Sequence, residues 1–103
     1  MAFETIEIEQ AKELIAAGAV TIIDIRDNAS FDRGHIEQAR HVDRDNVEAF
    51  IEETCHQLPL IVCCYHGNLS RGAAEYFHSR GFVRSYSLNG GYTQWVEKTG
   101  NGQ

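Results

Sequence analysis

Proline is almost absent: Pro59 is the only one in 103 residues, and serine and glycine nowhere gather into a repetitive stretch. A flexible linker is therefore not expected within the body of the chain, and only the polar tail, residues 99–103, has the composition of a disordered segment. Long apolar runs are lacking as well. The most apolar stretches, Leu60 to Cys64 among them, fall far short of the ~20 residues a membrane-crossing helix needs. Met1 to Gln10 is acidic and alternating, without the basic and then apolar order of a secretion signal. The expected location is the cytoplasm, away from any membrane.

Positive charge is scarce. Nine Lys and Arg stand against fifteen Asp and Glu, a formal net charge of −6. Nucleic acid is thereby a poor partner, because its binding rests on cations that neutralise phosphates. The same charge gives no long-range pull on an anionic substrate, so any anion held here needs local donors. Cysteine is limited to Cys55, Cys63 and Cys64, an odd count with two neighbours in sequence, and in a reducing compartment all three read as thiols. No Cys-x-x-Cys or His-Glu-x-x-His spacing occurs, and Cys64 with His66 alone makes no metal site, so no metal is expected.

What is present is alternation. The length fits one domain, taken as residues 1–103. Val20 to Ile25 and Leu60 to Cys64 are β-branched or continuously apolar, the pattern of strands buried on both faces of a parallel sheet. Thr5 to Ile8, Ala39 to Val42 and Val83 to Ser87 are weaker strand candidates. Between them, Ile8, Ala11, Leu14 and Ile15 share one helical face that Gly18 can close. Val47, Phe50 and Ile51 mark a second helix with Asp45 or Asn46 as N-cap. Ser70 to Arg80 is a third, with Ala73, Ala74 and Phe77 inward and Gly81 at its end, and Tyr92, Trp95 and Val96 mark a fourth after Gly90 and Gly91. Strands alternating with helices predict an α/β fold around a mainly parallel sheet, whose ligands gather beyond the carboxyl ends of the strands.

Cys64 ends the most apolar strand and precedes a turn with Gly67 and Asn68 and then a helix. Both turn residues tolerate a positive φ, so the loop can curl with its amides inward against a helix N-terminus, an anion site built without side-chain charge. Such donors pull a thiol pKa from about 8.5 toward roughly 3.5–7.5. Taken alone, Cys64 is read as well as a small apolar filler. Cys63, on the opposite face of the strand, and Cys55 beside His56 read as structural or incidental.

Three blocks together resemble the rhodanese-like sulfurtransferases. The first is Ile23-Asp24-Ile25-Arg26-Asp27 with Phe31, Gly34-His35-Ile36, Ala39 and Val42. The second is Cys64 with Gly67, Ser70, Ala73 and Ala74; the third is Gly81-Phe82, Leu88, Gly90-Gly91 and Trp95. The blocks span Val20 to Trp95 in order. Within that family the Cys-Tyr-His-Gly-Asn loop is similar to that of single-domain thiosulfate sulfurtransferases of the glycerol-regulon type. The resemblance implies a five-stranded parallel sheet with helices on both faces. It implies that Cys64 takes the outer sulfur of thiosulfate as a persulfide and passes it to cyanide, a dithiol or a thioredoxin-like protein. The persulfide would be held by the loop from Tyr65 through His66, Gly67, Asn68 and Leu69 to Ser70, with no metal or organic cofactor. An alternative within the family is a sulfur-relay or protein-binding module with a protein persulfide as donor.

One position departs from the family pattern: where many members carry Arg, five residues after the cysteine, this chain has Leu69. His66 and Arg71 are the candidates to replace that cation. The Cys-x5-Arg pattern of cysteine phosphatases and arsenate reductases is missing, because its arginine position is Ser70 and Arg71 lies one step late. Asp24, Arg26 and Asp27 read as an Arg–carboxylate pairing that fixes the loop after a strand, and His35 as a hydrogen-bonded framework residue.

Overall fold

A computed structural model describes residues 3–100; Met1, Ala2 and positions 101–103 of the polar tail lie outside the described residues. Strands and helices alternate throughout: β1 (Glu4–Ile6), α1 (Ile8–Ala17), β2 (Thr21–Asp24), α2 (Asn28–Arg33), β3 (Arg40–His41), α3 (Val47–Glu53), β4 (Leu60–Cys63), α4 (Leu69–Ser79), β5 (Ser85–Leu88) and α5 (Gly91–Thr99). The five strands form one sheet in the order β1-β5-β4-β2-β3, and every pairing is parallel. No described helix is long and apolar enough to cross a membrane.

β4 sits at the centre because all four of its residues are apolar and buried, which suits a strand covered on both faces. Side-chain alternation then assigns each residue to a core. Leu60 and Val62, with Ile23 of β2, pack with Phe50 of α3, Ala74 and Phe77 of α4, and Phe82. Ile61 and Cys63, with Ile22, pack with Ile8 and Ala11 of α1 and Trp95 of α5. On the first side the rings of Phe50, Phe77 and Phe82 meet with centroids 5.7–5.8 Å apart, edge-on or stacked.

The sequence expectations are met at the level of elements and shifted at their ends. Ile8, shared between a strand and a helix above, belongs only to α1; the strand stops at Ile6 and Glu7 becomes the helix N-cap, its amide donating to Gln10 Oε1 at 3.1 Å. Gly18 ends α1 at φ 85°, as the pattern predicts. β5 runs Ser85–Leu88, two residues later than the Val83 start expected, and β3 shrinks to Arg40–His41 at the sheet edge. Asn46 is the N-cap residue of α3, yet its side chain accepts from the Asp43 amide instead of capping the helix. α2 was not foreseen. It has six residues and none is buried, so no apolar periodicity announces it; its only local signal is Asp27, whose carboxylate caps the Ser30 amide at 3.1 Å.

Topology decides where chemistry can gather. From β4 the chain moves toward β5, whereas from β2 it moves the other way toward β3. The connections diverge between these adjacent strands, and such a divergence leaves a crevice beyond their carboxyl ends. The loops after Asp24 and Cys63 both open there. The first is locked by Arg26, whose Nε and Nη2 grip the Asp24 carboxylate at 2.8–3.1 Å while Nη2 also donates to the Gly34 carbonyl at 2.7 Å. Asp24 is fully buried and Arg26 is 7% exposed. Burial works against the charge on Arg26, and the Asp24 carboxylate more than offsets it, so the guanidinium pKa is raised.

Breaking this pair from one side should be costly. Arg26→Met leaves the Asp24 carboxylate buried without its partner, and a loss of about 3–5 kcal/mol is expected in urea unfolding. The double variant Asp24→Leu/Arg26→Met should recover most of that loss, because no uncompensated charge remains inside.

Candidate active site

Cys64 follows β4 directly and is 1% exposed. Its carbonyl is held by the Tyr92 amide at 2.8 Å, and the next carbonyl, of Tyr65, by the Thr93 amide at 3.1 Å. The first turn of α5 therefore pins the start of the loop. Gly91 is needed for that approach: a Cβ there would lie 2.6 Å from the Tyr65 carbonyl.

Beyond this anchor the chain curls around the sulfur. Gly67 takes φ 95°, and its amide donates to Cys64 Sγ at 3.2 Å. The Ser70 amide, in the first turn of α4, donates at 3.3 Å, and the Ser70 hydroxyl lies 3.3 Å from the same sulfur. The amide of His66 also favours the charged form of the sulfur. Burial resists ionisation of Cys64, but the Ser70 hydroxyl and the amides of Ser70, Gly67 and His66 outweigh it, and the pKa falls below that of an ordinary thiol. No charged side chain contributes. The site is the local-donor arrangement that a net charge of −6 demands.

Asn68 differs from expectation. It adopts a helical φ of −91° as the N-cap position of α4, and among the described residues only glycines have positive φ. One left-handed residue, Gly67, suffices to reverse the loop. The side chains of Tyr65, His66, Asn68 and Leu69 make no hydrogen bond to the sulfur. Tyr65 is turned toward β2: its hydroxyl donates to the Asp27 carboxylate, which holds that carboxyl far below the usual range together with donors from Ser30. Leu69 points outward and is 63% exposed. His66 and Arg71 are exposed, and among the described residues neither side chain makes a hydrogen bond or ion pair, so no cation takes the place that Leu69 leaves vacant at the sulfur.

Cys63 is a different kind of thiol. It is fully buried in the core beside α1 and α5, and burial, with the nearby Asp24 charge, pushes its pKa up. Cys55 is exposed. His35 stacks on Phe31 at 3.8 Å and its Nδ1 lies 2.8 Å from the Phe31 carbonyl, a framework role. Among the described residues no three His, Cys, Asp or Glu side chains converge to hold a metal ion.

With a strand-end thiol, an amide-lined loop and a parallel sheet in this order, comparison with known proteins is decisive. The model of the rhodanese-like domain matches residues 7–98. The chain belongs to the rhodanese-like family. Curated relatives named thiosulfate sulfurtransferase GlpE, from Ectopseudomonas mendocina (strain ymp) and Pseudomonas aeruginosa (strain LESB58), are each 47% identical over 93 residues, covering 90% of this chain and 84% of theirs. The crystal structure of a rhodanese-related protein from Thermoplasma volcanium superposes with a TM-score of 0.78 at 23% identity, covering 93% of each chain, a likeness of fold.

Two features of this rhodanese-like site escaped the sequence. A cavity of about 330 Å³ beside the loop is lined by Arg26, Ser30, Arg33, Gly34, Tyr65 and Tyr92, and so brings Arg33 of α2 next to the loop. Ser87 of β5 stands behind the sulfur, its Oγ 2.7 Å from Ser70 Oγ. The serine alternation at Ser85 and Ser87, within an otherwise buried strand, was the available signal.

Alkylation by iodoacetamide should single out Cys64 from Cys63, with a rate that rises through a midpoint below the ordinary thiol value of about 8.5. Gly67→Ala should raise that midpoint and destabilise the fold by about 1–3 kcal/mol, because φ is positive there. The new Cβ would also lie 3.0 Å from the Gly90 amide nitrogen. Mass-resolved rates against pH and urea unfolding measure both effects.

Proposed function

We propose that this chain is a thiosulfate sulfurtransferase in which Cys64 is the nucleophile. The observation that carries the reading is the convergence of the Gly67 and Ser70 amides on Cys64 Sγ at 3.2 and 3.3 Å, with the sulfur lying inside the loop at the end of the central strand. The thiolate attacks the outer sulfur of thiosulfate. The sulfur–sulfur bond of thiosulfate breaks, sulfite leaves with the electron pair, and a Cys64 persulfide remains. A second nucleophile, cyanide or a thiol, then attacks the outer persulfide sulfur and releases the Cys64 thiolate. This is covalent catalysis in two half-reactions with ping-pong kinetics.

The loop supplies each step from the backbone. The amides of His66, Gly67 and Ser70 stabilise the attacking thiolate, and the same inward-pointing donors serve the persulfide that replaces it. Preformed donors around a buried cysteine need no reorganisation when charge moves from one sulfur to the next. Phosphoryl chemistry lacks support here, because Ser70 holds the position where the Cys-x5-Arg pattern has its arginine, and no arginine side chain hydrogen-bonds the sulfur among the described residues.

One observation favours a second reading for the sulfur donor. Leu69 at 63% and Tyr76 at 41% exposed place apolar surface on α4, on the flank of the loop where an arginine would strengthen a small dianion. A protein persulfide can use apolar surface; thiosulfate gains nothing from it.

Treatment with thiosulfate should add one sulfur atom to the intact mass of the wild type and none to Cys64→Ser. Gain of sulfur by Cys64→Ser would refute the assignment. Steady-state kinetics should give a high thiosulfate KM. Leu69→Arg should lower it about three- to tenfold with little change in kcat, the effect of one charge-assisted contact made equally in ground and transition states. A micromolar KM in the wild type would mean that amides alone bind thiosulfate tightly.

A further inference from the structure

Three polar atoms lie in a line that ends inside the protein: Cys64 Sγ, Ser70 Oγ at 3.3 Å, and Ser87 Oγ a further 2.7 Å on. Cys64 is 1% exposed, and Ser70 and Ser87 are fully buried. Among the described residues Ser87 Oγ has no hydrogen-bond partner other than Ser70 Oγ. Ser87 is on β5, in register with Val62 of β4, so the sheet fixes its position. Its neighbour on the same face, Ser85, donates to the Ala74 carbonyl of α4 at 2.7 Å and holds that helix against the strand.

Proton counting gives this line a direction. Two contacts need two protons. With Cys64 as a thiol, the three atoms carry three protons for two contacts: either the S–H donates to Ser70 and Ser70 to Ser87, which leaves the Ser87 proton without an acceptor, or the hydroxyls point the other way onto the sulfur and the S–H, a weak donor, is left over. With Cys64 as a thiolate, whose proton has gone to water, two protons remain for two contacts. Ser87 then donates to Ser70 Oγ, and the one Ser70 proton is turned onto the sulfur. In the neutral form one proton is always left over and the thiol sulfur is a weak acceptor; in the charged form every proton is used and Ser70 donates to a charged sulfur, the stronger hydrogen bond.

We propose that Ser87 is a positioning residue for the reacting thiol: by donating to Ser70 Oγ it directs the Ser70 hydroxyl at Cys64 Sγ and favours the thiolate. It makes no hydrogen bond to the sulfur and acts through Ser70. The ionisable side chains on the surrounding elements are Cys63 of β4, Tyr65 and His66 of the loop, Arg71, Glu75, Tyr76 and His78 of α4, Tyr86 of β5, Asp24 of β2 with Arg26 after it, and Tyr92, Glu97 and Lys98 of α5. None of these side chains hydrogen-bonds the sulfur, so no fixed charge substitutes for the hydroxyl line.

The inference rests on Cys64 being the reactive thiol, and its test is independent of sulfur transfer. In a Cys55→Ser background, the rate at which iodoacetamide adds one mass tag to Cys64 is followed against pH. Ser87→Ala should raise the midpoint by roughly half to one pH unit, since only the difference that the Ser87 bond makes between thiolate and thiol counts. Ser70→Ala should raise it at least as far, and adding Ser87→Ala to Ser70→Ala should produce no further shift. Ser87→Thr and Ser87→Val, equal in shape and different only in the hydroxyl, make the same comparison if alanine unsettles the strand; only Val should raise the midpoint relative to Thr. An unchanged midpoint in Ser87→Ala and no difference between Thr and Val, or a full Ser87→Ala shift that persists without Ser70, would overturn the proposal. Failure of thiosulfate to load Cys64 while the midpoints move as stated would count against the sulfur donor and leave the role of Ser87 standing.

Discussion

The sulfur of a cysteine that is 1% exposed, in a chain of net charge −6, can carry negative charge only if hydrogen-bond donors reach it at short range. The rest of the site follows from that constraint. Donors from side-chain cations would have to be imported into an acidic molecule and desolvated beside the thiol. Backbone amides cost no charge and are fixed by the fold, so the loop after β4 is bent until the amides of Gly67 and Ser70 lie 3.2–3.3 Å from Cys64 Sγ. Bending it that far needs one left-handed residue and the start of a helix, and Gly67 and α4 provide them.

The surrounding structure keeps that loop from relaxing. The Tyr92 and Thr93 amides of α5 hold the carbonyls of Cys64 and Tyr65 from one side. From the other, the Tyr65 hydroxyl reaches the Asp27 carboxylate, and Asp27 is also the N-cap of α2. Arg26 stands between the two, paired with buried Asp24 and stacked 4.2 Å from the Tyr92 ring. Asp24, Arg26 and Asp27 thus act on the loop and make no hydrogen bond to the sulfur, as their sequence pattern suggests. The hydrogen bonds to the sulfur come from backbone amides and the Ser70 hydroxyl, with Ser87 behind it.

The two vicinal cysteines show how far environment separates identical side chains. They differ by one position in the chain, and strand alternation sends Cys63 into the α1 and α5 core while Cys64 emerges at the strand end. Burial without donors raises the pKa of the first; donors that outweigh burial lower the second. Two thiols with opposite pKa shifts are made from the same residue by the direction of one peptide unit.

Much of this was legible in the chain itself. The apolar run Leu60 to Cys64, the helical face of Ile8, Ala11, Leu14 and Ile15, and the glycines after helices are local signals, and local signals give element type, the parallel α/β class and Cys64 at a strand end. α2 was hidden because it buries nothing, and Asn68 was misjudged because tolerance of positive φ is a permission that the fold did not use. What tertiary structure alone decided was proximity between distant segments. Ser87 reaches Ser70 across 17 positions and Tyr65 reaches Asp27 across 38, contacts that exist because β5, β4 and β2 are adjacent in the sheet. Sequence patterns report what each segment buries. They carry no record of which buried segment lies beside which, and the hydrogen bonds that tune the thiol depend on that order.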